Sequence, residues 1–387
     1  MRFRTIPIFA VFFIMGFGDA VGTLVGFVQA EFSISPAVAG LLPLFGFLAF
    51  GLFSVPFGIL GGKKGKKWVL LFALILVTLG ELIPVISIGR YLYVLVAIFL
   101  IGVGMTALQV AGNPIMRDVS APGMFSRNLT FAQFIKSIGS NTAPYVVPLV
   151  VALGFAWNGI FSIYALVAGI TLVVVAVMKI EEKPAEEETV RPSLRSSFAL
   201  LGNPWVLAMV LGIFFYVGAE VGLNSWIATM LQDRFGLDIE SMATLGIGFF
   251  LTALAIGRLL GSIVLNFLSP KRFFLLTALL GAIGIAGMFV PARAVVLVSI
   301  FLAGLAFGNI FPLIFSILID SMPERSDELS GLMVMAIVGG ALVPWIMGLI
   351  AGSSIMLSFL IPLAIFVYIT LLAVHAMRRK ETGSVAA

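Results

Sequence analysis

The chain has 387 residues, of which 61% are hydrophobic and 11% charged, with a net charge of +5. Soluble domains are roughly 45–50% apolar and about 25% charged, so a water-soluble globule and a disordered chain are both excluded: too little polar surface exists to cover the apolar residues. The absence of cysteine and the single histidine, His375, exclude disulfides, thiolate or multi-histidine metal sites and a Ser-His-Asp triad, and the charges alternate along the chain instead of forming a patch for nucleic acid. These counts predict a polytopic membrane protein that is not an enzyme and carries no cofactor or metal.

A helix crossing the hydrocarbon needs roughly 20 apolar residues. Apolar runs and their polar or Gly/Pro breaks predict twelve such spans, at about 5–29, 37–60, 68–88, 92–118, 125–150, 156–179, 204–231, 241–267, 272–290, 294–320, 327–351 and 355–377. The runs are too long for barrel strands and lack strict alternation, so the predicted class is an all-α membrane protein. The start, Met1 to Arg4 followed by an apolar run, resembles a signal peptide, but Asp19 interrupts the run and no A-x-A site follows. It is read as a retained first span.

Lys and Arg set the orientation. With twelve spans, the side holding both termini carries eighteen of the 23 basic residues, the opposite side carries Arg90, Arg234 and Arg293, and Lys136 and Arg258 fall within spans. The termini are therefore expected in the cytoplasm, with the protein multi-pass in the cell inner (plasma) membrane.

The one long polar segment, about 181–203, is expected to be a cytoplasmic linker or surface helix that divides the chain into six-helix bundles over 1–180 and 204–387. A shift of 200 residues supports that division. It brings Gly18 onto Gly218, Gly61 onto Gly261, Gly139 onto Gly339, Pro144 onto Pro344 and Leu149 onto Leu349. Two repeated bundles with a site at their interface are the layout of a rocking transporter. Small-residue pairs such as Gly102/Gly104 and Gly304/Gly308 suit helices that approach closely.

Polar groups near span centres are costly and mark function by default. They are Asp19 in span 1, Gln109 and Asn113 in span 4, Gln133 and Lys136 in span 5, Glu220 and Asn224 in span 7, and Asn309 in span 10. Gln109/Asn113, Gln133/Lys136 and Tyr216/Glu220/Asn224 recur three or four residues apart, so each set shares a helix face. Asp19 and Lys136 can also be read as a structural ion pair. Asn113-Pro114 and Asn309 can equally serve a helix bend, where amides satisfy backbone freed by proline. Glu220 has no obvious basic partner in its own half, and an unpaired buried charge is expensive, which makes it the proton-carrier candidate, with Asp19 second. Arg258, beside Gly257 and Gly261, reads as structural. Tyr145 and Trp345 occupy equivalent repeat positions, where packing is the simpler reading than stacking on a sugar.

Several motifs carry a family resemblance. Gly58-Ile-Leu-Gly-Gly62-Lys-Lys-Gly65-Lys66-Lys67 resembles the loop signature G-x-x-x-D-x-x-G-R/K-R/K of the major facilitator superfamily, with Gly62 where Asp is usual. LQVAGNPIM (108–116), AQFIKSIGS (132–140), FYVGAEVGLNSW (215–226), IFPLIFS (310–316) and SGLMVMAIVGGALVP (330–344) resemble the fucose–galactose–glucose–proton symporter family within it. Gln109 stands where fucose-type members carry a carboxylate, as in glucose/galactose-type members, and Lys136 stands where the family has Asn. The resemblance implies two pseudo-symmetric six-helix bundles and import of a hexose-like sugar by proton symport. It implies substrate binding by Asp19, Gln109, Asn113, Gln133, Lys136, Asn224 and Asn309, and coupling through Glu220 or Asp19. The expected partners are a sugar, protons or sodium, and the lipid bilayer, with the protein a monomer. Two other readings stand beside this one: an anionic sugar or organic acid with Lys136 as counter-ion, and export of hydrophobic compounds, against which the amide-rich stripes argue.

Overall fold

A computed structural model describes residues 6–180, 182, 192–237 and 244–379. Arg2, Arg4 and linker residues 181 and 183–191 lie outside the described residues. Among the described residues the chain is helical with no strand, and helix occupies each of the twelve expected spans.

The principal helices are α1 (Ile6–Met15), α2 (Val21–Phe32), α3 (Leu41–Lys64), α4 (Lys66–Ile86), α5 (Tyr91–Val119), α6 (Phe125–Ser140), α7 (Ala143–Ala152), α8 (Gly159–Val177), α9 (Pro204–Phe235), α10 (Thr244–Val264), α11 (Pro270–Gly287), α12 (Arg293–Ser321), α13 (Ser326–Met335), α14 (Gly339–Ala351) and α15 (Leu360–Arg378). Nine helices among the described residues are individually long and apolar enough to cross a membrane, or ten with the bent pair of span 1 counted as one. Span 1 is broken by a 3-10 turn, Gly16–Ala20, which carries Asp19. Span 5 breaks at Asn141-Thr142 into α6 and α7, and span 11 is joined through the 3-10 turn Ala336–Val338. The linker contributes a short helix, Leu194–Ala199, on the described side of its boundary.

The chain forms two compact units. The first comprises 1–122, 135–199 and 324–335, and the second 123–134, 200–323 and 336–387. Each unit therefore includes one short segment from the other half of the sequence.

In the first unit α5 is central and packs against α3 and α4. Glycine makes this approach close: a Cβ on Gly104 would lie 3.0 Å from the Ala73 carbonyl, and one on Gly102 would lie 3.2 Å from the Ala49 side chain. In the second unit α12 is central and packs against α10 and α11. There Gly304 abuts the Phe250 carbonyl and Gly308 the Leu254 carbonyl. The small-residue pairs read from the sequence are thus helix contacts, where removing the side chain lets backbones meet.

The repeat also holds at the crossings that position the polar residues. A Cβ on Gly139 of α6 would come within 2.2 Å of the Phe13 carbonyl on α1, and a Cβ on Gly339 of α14 within 2.1 Å of the Phe214 carbonyl on α9. Both helix pairs cross backbone to backbone at the same repeat position. Tyr145 and Trp345 do not pack inside their units, contrary to the simpler sequence reading: their side chains are largely exposed.

The loop between α3 and α4 turns at Gly65, whose φ of +89° is a left-handed conformation that favours glycine. The freed N–H groups at the start of α4 are satisfied by the linker: Lys66 N and Lys67 N donate to the Glu182 carboxylate at 2.7 and 2.8 Å. The buried Lys66 ammonium pairs with Asp118 at 2.7 Å and with Asp327 of α13 at 3.7 Å. Gly62 faces that same acid, since a Cβ there would lie 3.6 Å from Asp327 Oδ2. The charge contacts of the loop are therefore made with one acid from α5 and one from α13.

Candidate functional site

In the first unit the 3-10 turn of span 1 delivers Asp19, and the close crossing of α1 and α6 brings Lys136 to it. A Cβ on Gly16 would lie 2.4 Å from the Lys136 carbonyl, so no residue larger than glycine fits between the helices. The Lys136 ammonium sits 3.5 Å from Asp19 Oδ2, and the Ser140 hydroxyl donates to the same oxygen at 2.6 Å. The Asp19 side chain remains 52% exposed and that of Lys136 15%. A carboxylate with one cation and one hydroxyl on the same oxygen keeps acceptor capacity for a further donor. Gln109 and Asn113 share one face of α5 and are buried.

In the second unit Tyr216 and Glu220 lie one turn apart on α9, and the Tyr216 hydroxyl is hydrogen-bonded to the Glu220 carboxyl. The same hydroxyl reaches the main-chain carbonyl of Phe307 on α12 at 2.9 Å. Arg258 of α10 is buried beside them. Its Nε donates to the Gly308 carbonyl and its Nη1 to the Gln133 carbonyl, each at 3.3 Å, and its side chain also hydrogen-bonds Tyr216.

The first of those bonds has a covalent cause. Pro312 lacks an N–H, so the Gly308 carbonyl four residues earlier loses its helical partner, and Arg258 supplies a donor. Asn309, next in the chain, is buried. Its amide donates to the Leu305 carbonyl at 3.1 Å, while its Oδ1 has no hydrogen-bond partner among the described residues. Asn224, half-buried on α9, has an unpartnered Oδ1 in the same sense.

The structure thus joins Asp19 to Lys136, and gathers Glu220, Tyr216, Arg258 and the Gln133 backbone. The boundary between units falls between Phe134 and Ile135, so Gln133 and Lys136, three residues apart, belong to different units. Sequence reasoning missed Ser140 as a ligand of Asp19, although it lies four residues beyond Lys136 on the same face. It also missed that Arg258 adjoins Glu220 through Tyr216, because nothing in the spacing of α10 and α9 places them together. No cluster of three or more metal-ligating side chains exists among the described residues.

The sequence pattern of the Major Facilitator Superfamily matches residues 8–336. The chain belongs to the major facilitator superfamily. It is a multi-pass membrane transporter and not an enzyme. The superfamily chain is 28% identical over 376 residues to a protein of Brucella abortus named glucose/galactose transporter, covering 93% of this chain and 90% of that one. It is 23% identical over 412 residues to the L-fucose-proton symporter of Haemophilus influenzae, covering 95% of each. Its fold matches the crystal structure of the superfamily transporter FucP, in the outward conformation, with a TM-score of 0.87, 20% identity and coverage of 98% of this chain and 99% of that chain.

Proposed function

We propose that this superfamily member imports a neutral hexose-like sugar together with protons, by alternating access of bundles 1–180 and 204–387 joined by the linker 181–203. The relatives named for glucose/galactose and L-fucose-proton transport match it over nearly the full length of both chains. The observation that carries the neutral substrate is the Asp19–Lys136 pair. The span-5 cation already has an anionic partner at 3.5 Å, so an acidic sugar would have to compete with a carboxylate for it, whereas hydroxyl groups need only donors and acceptors.

Asp19 and the half-buried Asn224 are the accessible hydroxyl partners. Lys136, Gln109, Asn113, Gln133 and Asn309 complete the binding set from more enclosed positions. Glu220 carries the coupling proton, with Asp19 as the second candidate. A proton fits Glu220 because it lies in a hydrogen-bonded, partly enclosed place where a neutral carboxyl avoids the cost of burying charge; sodium would call for several converging oxygen ligands. The protein works as a monomer in the lipid bilayer of the cell inner membrane with both termini in the cytoplasm, the placement that the basic-residue bias favours.

The test is Glu220→Gln, which keeps the size and hydrogen-bonding shape of the residue but cannot release a proton. In proteoliposomes, accumulation of labelled glucose or galactose driven by a pH gradient should vanish, while exchange of the same sugar across the membrane persists. Full accumulation in this variant would move coupling to Asp19 or to another ion.

A further inference from the structure

Tyr216 stands where two acceptors meet. Its hydroxyl contacts a carboxyl oxygen of Glu220 and the Phe307 carbonyl, and its oxygen also accepts from Arg258, which leaves the contest between the two acceptors for the single phenol hydrogen unchanged. A phenol has one hydrogen to donate and lone pairs with which to accept. With Glu220 ionised, that single hydrogen can serve the carboxylate or the carbonyl but not both, and the other contact brings two acceptors face to face. With a proton on Glu220 both contacts are satisfied: the carboxyl O–H donates to the tyrosine oxygen, and the tyrosine O–H donates to Phe307. Tyr216 is 1% exposed, so solvent does not fill the missing bond, whereas Glu220 keeps a solvent-reachable edge.

The receiving carbonyl lies at the weakest turn of α12. The next carbonyl, Gly308, has lost its helical donor to Pro312 and is held by Arg258. Two successive carbonyls of α12 are therefore held from outside the helix, one by Tyr216 and one by Arg258.

We infer that Tyr216 is a positioning residue that transmits the proton state of Glu220 to α12. When the proton leaves Glu220 for water, the Tyr216 hydrogen turns onto the carboxylate, the Phe307 carbonyl loses its donor from outside the helix and keeps only the Phe311 N–H, and the hold of Tyr216 on α12 beside the proline turn is released. When a proton returns, the hydrogen turns back and α12 is clamped. No tyrosinate forms, and one proton enters or leaves through the Glu220 carboxyl.

Among the described residues the other charged group that faces this cluster is Arg258 from α10, while Tyr368 of α15 turns its hydroxyl to the Ala208 carbonyl. From α14 the contacts at Gly218 and Gly222 come from Val343 and Met347, which do not titrate. The inference rests on Glu220 as the proton carrier, and its test separates the two ideas.

Infrared difference spectra of the purified full-length protein, stepped in pH without substrate, read the carboxylic acid carbonyl band and the tyrosine C–O band. A carboxylic band that disappears in Glu220→Gln belongs to Glu220. In Tyr216→Phe that band should shift to higher wavenumber, because its hydrogen-bond acceptor is gone. In the wild type a tyrosine band should move with pH. In Glu220→Gln it should stay fixed, because the amide does not titrate and holds one hydrogen-bond arrangement with the tyrosine at every pH. Tyr216→Phe should also lose gradient-driven accumulation of labelled glucose or galactose while keeping exchange.

An unshifted Glu220 band in Tyr216→Phe overturns the inference, as does a tyrosine band that moves with pH in Glu220→Gln as it does in the wild type. Absence of any band assignable to Glu220 overturns the proton-carrier reading and the inference with it. The tyrosine arm needs only Glu220→Gln, so it stands whether or not Tyr216→Phe folds.

Discussion

At the scale of single residues, the Asp19–Lys136 pair is where the proposed neutral substrate and an anionic one make different demands. Lys136 stands where the family resemblance implies a neutral amide, and its charge meets Asp19 at 3.5 Å. Asp19 is half exposed, so the mutual stabilisation is discounted by solvent to about 1 kcal/mol or less. Lys136→Asn should therefore leave the protein folded and still able to bind glucose, measured by isothermal titration. Any loss of coupling should be eased by adding Asp19→Asn, which removes the carboxylate left without its partner. If the substrate were the anion, Lys136→Asn would instead abolish binding of the uronic acid, and Asp19→Asn would not restore it.

At the scale of helices, proline and its caps explain how α5 and α12 are held. Pro114 removes the donor for the Val110 carbonyl, and the Ser330 hydroxyl of α13 donates to that oxygen at 2.7 Å. Pro312 does the same to Gly308, where Arg258 donates. Each central helix thus has a broken ladder repaired by a side chain from a neighbouring helix. Ser330→Ala should cost about 1–3 kcal/mol, the penalty for a buried acceptor left unsatisfied, and lower the unfolding temperature in detergent. In a Pro114→Ala background the carbonyl regains its helical donor, so Ser330→Ala should cost much less there. Equal losses in both backgrounds would show that Ser330 acts through packing alone. The sequence shows both prolines, with Asn113 next to Pro114 and Asn309 three residues before Pro312, but not the donors, because Ser330 and Arg258 lie 220 and 50 residues away from the carbonyls they serve.

At the scale of the whole molecule, the compact units do not coincide with the halves of the sequence: 324–335 counts with the first unit and 123–134 with the second. The Lys66 cluster fastens the first of these segments, since the buried ammonium faces Asp118 and Asp327 together. Lys66→Ala leaves two acids without their cation and should destabilise the protein by about 3–5 kcal/mol, read as a fall in unfolding temperature. Gly62→Asp, which restores the residue usual in the superfamily loop, should also destabilise this chain, because a Cβ there would lie 2.7 Å from Pro192 Cγ and the new carboxylate would approach Asp327. Adding Asp327→Asn should relieve the electrostatic part of that loss. A Gly62→Asp protein as stable as the wild type would mean that the loop yields without cost.

The sequence by itself determined the class of molecule, because a composition this apolar leaves only the bilayer as solvent, and the repeat of glycines at a 200-residue shift already marks the paired helix crossings. It also marked the intramembrane polar residues, since each is costly wherever it points. Only the tertiary structure decided their partners. The Asp19–Lys136 pair depends on a backbone crossing at Gly16 and Gly139, and the Glu220–Tyr216–Arg258 group depends on three helices meeting. Helical periodicity reports which residues share a face, but the rotation and neighbour of that face are set by packing between helices distant in the chain. The same holds for the compact units: hydropathy divides the chain at its polar linker, whereas the burial of 324–335 and 123–134 follows from the helices they lie against.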